Sequence, residues 1–269
     1  MSPTQPAHDE EFWRKFLVEG DPMEKTFRRV FGILPHGPRC HFCLAPFAGP
    51  GAPLMRMMGK PPSRQNPSVC AGCFNFMAKK HGGAEVPAAF MFADIRGSTT
   101  IAERMPNAEF RALMDRFYGV ASTAIYEHDG ILDKFVGDEA IGLWGPGIGG
   151  RRYVAKAIDA ARALLRATGH EDPDGPWAPV GAGVHAGRAW IGAVGEGSHE
   201  VMTAVGDAVN VTARLASNAA AGEVLVSVEA AIAAGIDATQ GRRQLDVKGK
   251  QAPIDVVTVT VRAADAARL

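Results

Sequence analysis

From residue 88 onward, apolar residues recur at helical spacing in long stretches and form short runs between them. Residues 107–128 place Phe110, Leu113 and Phe117 on one face, which predicts a long amphipathic helix. The Ala- and Leu-rich stretch 151–168 and the stretch 207–218 predict two further helices.

The short runs predict strands in AAFMFAD, in a hairpin over 131–144, in VGAGVHAGRAWIGAVG, in GEVLVSV and in IDVVTVTV. The resulting order, βαββαβ with added strands, predicts an α+β domain in which helices pack on a mixed sheet.

The chain before residue 88 follows a different pattern. Residues 10–34 carry regularly spaced aromatic residues and predict helices with a break at the Gly-Asp-Pro of 20–22. From 35 to 67 the periodicity is lost and Pro and Gly become frequent, which is typical of a small module held by metal. We therefore expect a helical segment over 1–38, a metal-binding module over 39–81, a linker over 82–87 and a larger domain over 88–263.

Composition narrows the class of protein. The chain has 269 residues, of which 46% are hydrophobic and 22% charged, and its 29 Lys and Arg balance 29 Asp and Glu. These values are ordinary for a globular protein and favour no charged partner. No apolar run is long enough for a membrane span, and the polar, acidic start MSPTQPAHDEEF does not resemble a secretory signal. We expect a cytoplasmic protein without a membrane span.

The cysteines form a compact sequence pattern. Cys40 and Cys43 make one C-x2-C pair, and Cys70 and Cys73 make a second pair 26 residues later. In a reducing compartment such pairs indicate a metal site rather than disulfides. Zinc and an iron–sulfur cluster both use four thiolates, so both remain open.

The same region is basic. Between His36 and His81 there are six Lys or Arg and no acidic residue. Such a cluster can contact nucleic acid, but it can also be a solvated surface that offsets the charge of a metal tetrathiolate. We expect the second explanation, and no nucleic-acid partner, because aromatic residues are not interleaved with the basic ones. The six residues are Arg39, Arg56, Lys60, Arg64, Lys79 and Lys80.

Candidate chemistry begins at FADIRGST, residues 92–99. A predicted strand delivers Asp94 to its end, and the turn through Ile95, Gly97 and Ser98 precedes a predicted helix that Ser98 or Thr99 could cap. Exposed backbone N–H groups at such a turn suit phosphate. Asp94 could equally be a simple turn residue.

Two further motifs add polar groups. In DKFVGDEAIGLWG, Asp138 follows Gly137 at the turn of the predicted hairpin, so Asp94 and Asp138 could together bind two Mg²⁺ ions for an in-line displacement. In EVMTAVGDAVNVTARLAS, Asn210 and Arg214 are four residues apart on a predicted helix and share a face. Arg could stabilise a phosphoryl transition state and Asn could orient a sugar, although an exposed helix face explains the pair as well.

Together, FADIRGST, KFVGDEA and TAVGDAVNVTAR resemble the catalytic domain of class III nucleotidyl cyclases over about 87–262. The resemblance implies a ferredoxin-like βαββαβ domain with extra strands. It also implies a role for individual residues: Asp94 and Asp138 as ligands of Mg²⁺ or Mn²⁺, Lys134 and Thr203 as base-reading residues, Asn210 and Arg214 as the ribose-orienting and transition-state residues, and Lys248, with Ile95, Gly97 and Ser98 of the first turn, as substrate contacts.

The resemblance also implies the base and the assembly. Lys134 marks adenine specificity in this family, and Lys, which only donates, suits the adenine ring nitrogen better than the protonated guanine one. Thr203 marks the IIIb subclass, which often responds to bicarbonate. Family members pair head to tail, with metal ligands from one subunit and base, ribose and phosphate residues from the other, so a chain with both sets should form a homodimer with two sites.

The resulting expectation is an adenylyl cyclase that converts ATP to 3′,5′-cyclic AMP and pyrophosphate and is regulated by an N-terminal zinc or iron–sulfur module. Alternatives are a guanylyl cyclase, or a non-catalytic metal-ribbon binding protein with a cyclase-like dimerisation domain. VGDEAI also resembles the GGDEF turn of diguanylate cyclases, but the Asn–Arg helix is typical of class III cyclases.

Overall fold

The computed structural model describes residues 5–34, 38–64, 67, 69–78, 82–194, 201–245 and 253–261. The contacts divide the chain into two units. The N-terminal unit comprises residues 1–87, 145–150 and 188–206, and the sheet unit comprises residues 88–144, 151–187 and 207–269.

The N-terminal unit contains the predicted helical segment. Helices α1 (Gln5–Val18) and α2 (Pro22–Ile33) are separated by Gly20, which adopts a left-handed conformation with a φ of 75°, so the predicted break is confirmed. Two short helices follow, α3 (Ala52–Met57) and α4 (Ala71–Ala78). Trp13, Phe16 and Phe31 are buried, so α1 and α2 use their aromatic residues for packing.

The strands and remaining helices follow the predicted order. The strands are β1 (Gly83–Ile95), β2 (Ile131–Val136), β3 (Glu139–Trp144), β4 (Val180–Val194), β5 (Val201–Val205), β6 (Glu223–Ser227), β7 (Arg242–Leu245) and β8 (Ile254–Thr260). The helices are α5 (Ser98–Arg104), α6 (Asn107–Glu127), α7 (Pro146–Gly149), α8 (Tyr153–Ala167), α9 (Asp207–Asn218) and α10 (Val228–Ala234), with a 3₁₀ turn at Gly150–Arg152.

In the described part of the chain these strands form an eight-stranded mixed sheet in the order β2-β3-β1-β4-β6-β8-β7, with β5 paired to β4. The β4–β6 pair is parallel, whereas the β1–β3, β2–β3, β4–β5, β6–β8 and β7–β8 pairs are antiparallel. The predicted α+β fold is confirmed.

Both faces of the sheet are covered by helices. Val224 and Val226 of β6 belong to the main core, to which α6, α8 and α10 contribute. Leu225, between them, packs with Val211 and Leu215 of α9 in a second cluster. Alternate residues of a strand point to opposite faces, so the uninterrupted apolar run of β6 reflects burial on both sides.

Residues 83–87, predicted as linker, are instead the first residues of β1. Ala84 and Val86 are buried and Glu85 is exposed, which is the alternation of a strand. The Gly-Gly pair at 82–83 and the Pro at 87 concealed this short alternation in the sequence. No helix of the described residues is both long enough and apolar enough to cross a membrane.

A buried tryptophan organises the β2–β3 hairpin region of the sheet unit. The Trp144 side chain is fully buried, and its indole N–H donates to the carbonyl of His128 at 2.8 Å. A Cβ atom added to Gly130 or Gly142 would lie 2.6 Å from the Trp144 ring. The two glycines are therefore required by the ring that crosses them.

Replacing Gly142 by Ala should lower the free energy of unfolding by about 1–3 kcal/mol, the usual cost of overpacking a core. Gly119 in α6 provides a matched control, because a Cβ there meets no atom within 4 Å. Gly119→Ala should raise the free energy of unfolding by about 0.5–1 kcal/mol through helix propensity. Urea unfolding followed by far-UV circular dichroism measures both values; equal effects would contradict the packing of Trp144.

Candidate active site

The register of β1 against β3 places the two predicted metal ligands at one end of the sheet. Asp94, the penultimate residue of β1, lies opposite Glu139, the first residue of β3. Asp138 immediately precedes Glu139, so it reaches the same end from the hairpin turn. The structure thus brings together two carboxylates that are 44 positions apart in the sequence.

The hairpin turn is held by an aromatic residue of α6. The Tyr118 hydroxyl donates to the carbonyl of Gly137, and its ring stacks on Phe135 with centroids 4.1 Å apart. Gly137 has a φ of 60°, the left-handed conformation that glycine tolerates at such a turn. Tyr118 therefore fixes the backbone that presents Asp138, a positioning role that sequence reasoning missed.

An arginine lies within this acidic cluster. Arg96 forms an ion pair with Asp94, and its side chain also donates to the carbonyl of Ser217 at the end of α9, at 3.2 Å. Burial lowers the pKa of Arg96, while the charges of Asp138 and Glu139 oppose that shift. Arg96 thus places a positive charge beside the carboxylates of Asp94, Asp138 and Glu139.

The acidic cluster suits a divalent cation. The pKa of Glu139 is raised, first by burial and then by the charge of Asp138, which shows that carboxylates are crowded here. The Oδ1 atom of Asp94 is shielded from solvent. Oxygen donors concentrated in this way fit Mg²⁺ or Mn²⁺, because a hard divalent ion relieves the repulsion between carboxylates.

The turn after β1 lacks the side-chain cap that the sequence predicted for α5. Gly97, with a φ of 69°, is itself the N-cap of α5, and no side chain caps this helix. Ser98 is the first helical residue, so the predicted capping by Ser98 or Thr99 is wrong. Ile95 is buried and anchors the turn, whereas Gly97 is exposed with open space where a Cβ would lie.

Helix α9 presents the predicted pair on one face. The opposite face is buried through Ala208, Val211, Thr212, Leu215 and Ala216. Asn210 is exposed and Arg214 is half-buried, so both side chains point away from the sheet core. Both residues thus lie on the face of α9 that is not packed on the sheet.

A β-bulge sets the position of Lys134. Leu132 pairs with Gly142 and Lys134 pairs with Ile141, so Asp133 is an extra residue on β2. The Nζ atom of Lys134 lies 3.2 Å from Asp133, and its side chain is 39% exposed. The bulge explains how a lysine is accommodated on a largely apolar hairpin, and the sequence pattern did not reveal it.

The second residue predicted to read the base lies in the other unit. Thr203 is in β5, opposite Gly192 of β4, within the N-terminal unit. Lys248 lies outside the described residues. Within one chain the structure therefore groups Asp94 with Asp138 and Asn210 with Arg214.

The four cysteines form a second site, in the N-terminal unit. Their sulfur atoms all lie within 4.8 Å of one another, and all four side chains are buried. Hydrogen bonding with Cys40 raises the pKa of Cys43 and Cys73 and lowers that of Cys70. The structure thus brings the four predicted ligands together in an arrangement that can hold a metal ion.

Two of the basic residues near this cluster point inward. Arg39 donates to the carbonyls of Phe31 and Leu44 at 2.8 and 3.2 Å. The Lys60 ammonium lies 4.4 Å from the centre of the Phe27 ring. These two side chains therefore contribute to the packing of the module. Lys79 and Lys80 lie outside the described residues.

Sequence relatives match part of the chain. The uncharacterized protein Rv1319c of Mycobacterium tuberculosis is 35% identical over 134 residues, which is 50% of this chain and 24% of that protein. The uncharacterized protein Rv1318c of the same organism is 33% identical over 157 residues, 58% of this chain and 28% of that protein. The matched region thus spans about a quarter of the length of these relatives.

Solved structures share the fold. The guanylyl cyclase Cya2 superposes with a TM-score of 0.60 at 24% identity, covering 66% of this chain and 93% of that one. The adenylyl cyclase CyaB from P. aeruginosa gives 0.58 at 24% identity, covering 67% and 97%. The family model described as the adenylate and guanylate cyclase catalytic domain matches residues 84–260. The chain therefore belongs to the adenylate and guanylate cyclase catalytic-domain family.

Proposed function

We propose that this protein is an adenylyl cyclase, of the IIIb type, that converts ATP to 3′,5′-cyclic AMP and pyrophosphate. The observation that carries the proposal is the β1–β3 register, which brings Asp94 and Asp138 to one end of a cyclase fold. A domain that only dimerised would have no need of this acidic pair together with an accessible Asn210 and Arg214.

Asp94 and Asp138 would hold two divalent ions, Mg²⁺ or Mn²⁺. When bound, such ions lower the pKa of the ribose 3′-hydroxyl and neutralise the leaving pyrophosphate. The turn of Ile95, Gly97 and Ser98 offers its backbone to the phosphates. Gly97 has no Cβ atom and the space beside it is open, so a phosphate can approach the backbone closely.

The accessible face of α9 supplies the catalytic side chains. Arg214 stabilises the negative charge that gathers on the α-phosphate as the 3′-oxygen attacks in line. Asn210, one turn earlier on the same face, orients the ribose. Lys248 contacts the triphosphate in this proposal.

The choice of ATP over GTP rests on Lys134. Its ammonium group only donates hydrogen bonds, so it pairs with the unprotonated ring nitrogen of adenine and not with the protonated one of guanine. Thr203 supplies the second base contact and supports the IIIb subclass. The fold itself does not select the base, because the similar structures include Cya2, a guanylyl cyclase, and CyaB, an adenylyl cyclase.

The active form in this proposal is a homodimer with two composite sites. Asp94 and Asp138 of one subunit act with Lys134, Thr203, Asn210, Arg214 and Lys248 of the other. The four-cysteine module precedes the cyclase domain in the chain and regulates it through the metal that it holds, zinc or an iron–sulfur cluster. We place this signalling enzyme in the cytoplasm and expect no nucleic-acid partner.

Shared sites predict complementation between inactive variants. Asp94→Asn and Arg214→Ala should each abolish cyclic AMP formation as homodimers, because each damages both sites. A heterodimer of the two variants, isolated through two different affinity tags, retains one undamaged site and should recover about half of the wild-type activity.

The matched control is a heterodimer of Asp94→Asn with Asp138→Asn. Both substitutions affect the same half-site, so neither composite site is complete and no activity should return. An inactive Asp94→Asn and Arg214→Ala heterodimer that is folded and dimeric would contradict the shared sites, and an active Asp94→Asn homodimer would contradict the metal assignment.

The base-reading role of Lys134 predicts a change of substrate preference. Lys134→Glu supplies an acceptor for guanine and leaves adenine without its donor, so kcat/KM for ATP should fall roughly 10–100-fold and the GTP-to-ATP ratio should rise at least as much. Lys134→Met is the control, because it removes the donor without adding an acceptor. It should lose activity with ATP and gain none with GTP; an unchanged ATP-to-GTP ratio in Lys134→Glu would overturn the role.

A further inference from the structure

The spacing of the cysteine sulfurs matches the coordination of a single ion. The Sγ atoms of Cys43 and Cys70 lie 3.7 Å apart. A regular tetrahedron with metal–sulfur bonds of about 2.3 Å has sulfur–sulfur edges of about 3.8 Å. The sulfurs of Cys43 and Cys70, one from each C-x2-C motif, are therefore separated by about the length of one edge of such a tetrahedron.

An iron–sulfur cluster needs a wider arrangement. In a [4Fe–4S] cluster each cysteine sulfur points outward from a different iron, and in a [2Fe–2S] cluster the four sulfurs form two pairs on different irons, so the iron–iron distance and two outward metal–sulfur bonds lie between sulfurs on different irons. This spreads the ligands well beyond the 4.8 Å within which all four sulfurs lie here. The distances between the four sulfurs fit ligands of a single metal ion.

The surrounding donors suit a negatively charged tetrathiolate. The backbone N–H of Cys70 points to the sulfur of Cys40 at 3.2 Å, and that of Cys73 points to the sulfur of Cys70 at 3.4 Å. The Lys60 ammonium lies 3.9 Å from the sulfur of Cys43. Such outer contacts orient the ligands and disperse the charge of four thiolates around a divalent ion.

The site is closed. Cys40, Cys43 and Cys70 are fully buried and Cys73 is 6% exposed. With four protein sulfurs around one ion, the tetrahedron is complete and has no open position for water or substrate. Closed tetrathiolate sites are structural, whereas catalytic zinc sites keep one position open.

The first C-x2-C turn is also the attachment point of α2. Leu44, directly after Cys43, has a φ of 62°, which a branched residue adopts only when its surroundings hold it there. Arg28 of α2 donates to the carbonyl of Phe42, and Arg39 donates to the carbonyls of Leu44 and Phe31. An ion that fixes this turn thereby fixes the helix packed on it.

We propose that Cys40, Cys43, Cys70 and Cys73 bind one tetrahedral zinc ion, and not an iron–sulfur cluster, and that this ion holds the N-terminal unit together. The inference does not depend on the cyclase activity, since it concerns the sulfur geometry alone. Regulation through this module then acts by the structure that the ion maintains, and not by electron transfer at the site.

The test is metal analysis of the full-length protein purified without oxygen from cells supplied with both iron and zinc. The expected result is about one zinc per chain, with neither iron nor acid-labile sulfide in stoichiometric amount. Replacement of the ion by Co²⁺ should give the intense visible bands of a tetrahedral tetrathiolate site. Iron with sulfide, one iron without sulfide, or a chain without tightly bound metal would each overturn the proposal.

Two variants separate this site from the cyclase site. Asp94→Asn should keep its zinc while losing cyclic AMP formation, so failure of one proposal is distinguishable from failure of the other. Cys43→Ser should lose zinc, and hydrogen exchange should then speed up in α1, α2 and the cysteine turns while the core strands β3 and β6 stay protected. Unchanged exchange in α2 after the loss of zinc would contradict the structural role of the ion.

Discussion

The antiparallel pairing of β1 with β3 is the constraint on which the catalytic end of this protein depends. It sets Asp94 opposite Glu139 and so brings Asp138 to the same end of the sheet. A shift of one residue would turn Asp94 toward the opposite face and separate it from the hairpin turn. The apolar residues of β1, buried along almost the whole strand, hold this register, and Tyr118 fixes the β2–β3 turn that carries Asp138.

Bringing these carboxylates together creates electrostatic repulsion, which the positive charge of a neighbouring residue reduces. Burial and, after it, the charge of Asp138 raise the pKa of Glu139, whereas the positive charge of Arg96 opposes that shift. Arg96 also contacts the end of α9, the helix that carries Arg214. The N-terminal unit meets a similar problem differently: four buried sulfurs are placed at the spacing of one ion's ligands, and backbone N–H groups point to two of them.

Much of the fold and of the site could be predicted where local rules decide the structure. Strand ends marked by Gly and Asp located Asp94 and Asp138, and i,i+4 spacing placed Asn210 with Arg214. Features that depend on tertiary contacts could not be predicted. The bulge at Asp133 arises from strand pairing, Tyr118 acts through a carbonyl 19 positions away, and residues 83–87 join β1 although they begin within a Gly-Gly pair. The C-x2-C pattern predicted a metal site, but the separation of the four sulfurs, all within 4.8 Å of one another, depends on the tertiary structure.

The central claim is that this cyclase-family chain acts on ATP. The most direct measurement incubates the purified wild-type protein with equal concentrations of ATP and GTP and Mg²⁺ or Mn²⁺, and quantifies cyclic AMP, cyclic GMP and pyrophosphate by mass spectrometry. The account predicts cyclic AMP in excess of cyclic GMP by roughly tenfold or more, since an unpaired buried donor costs about 1–3 kcal/mol. Equal or greater formation of cyclic GMP, or formation of neither product, would contradict it.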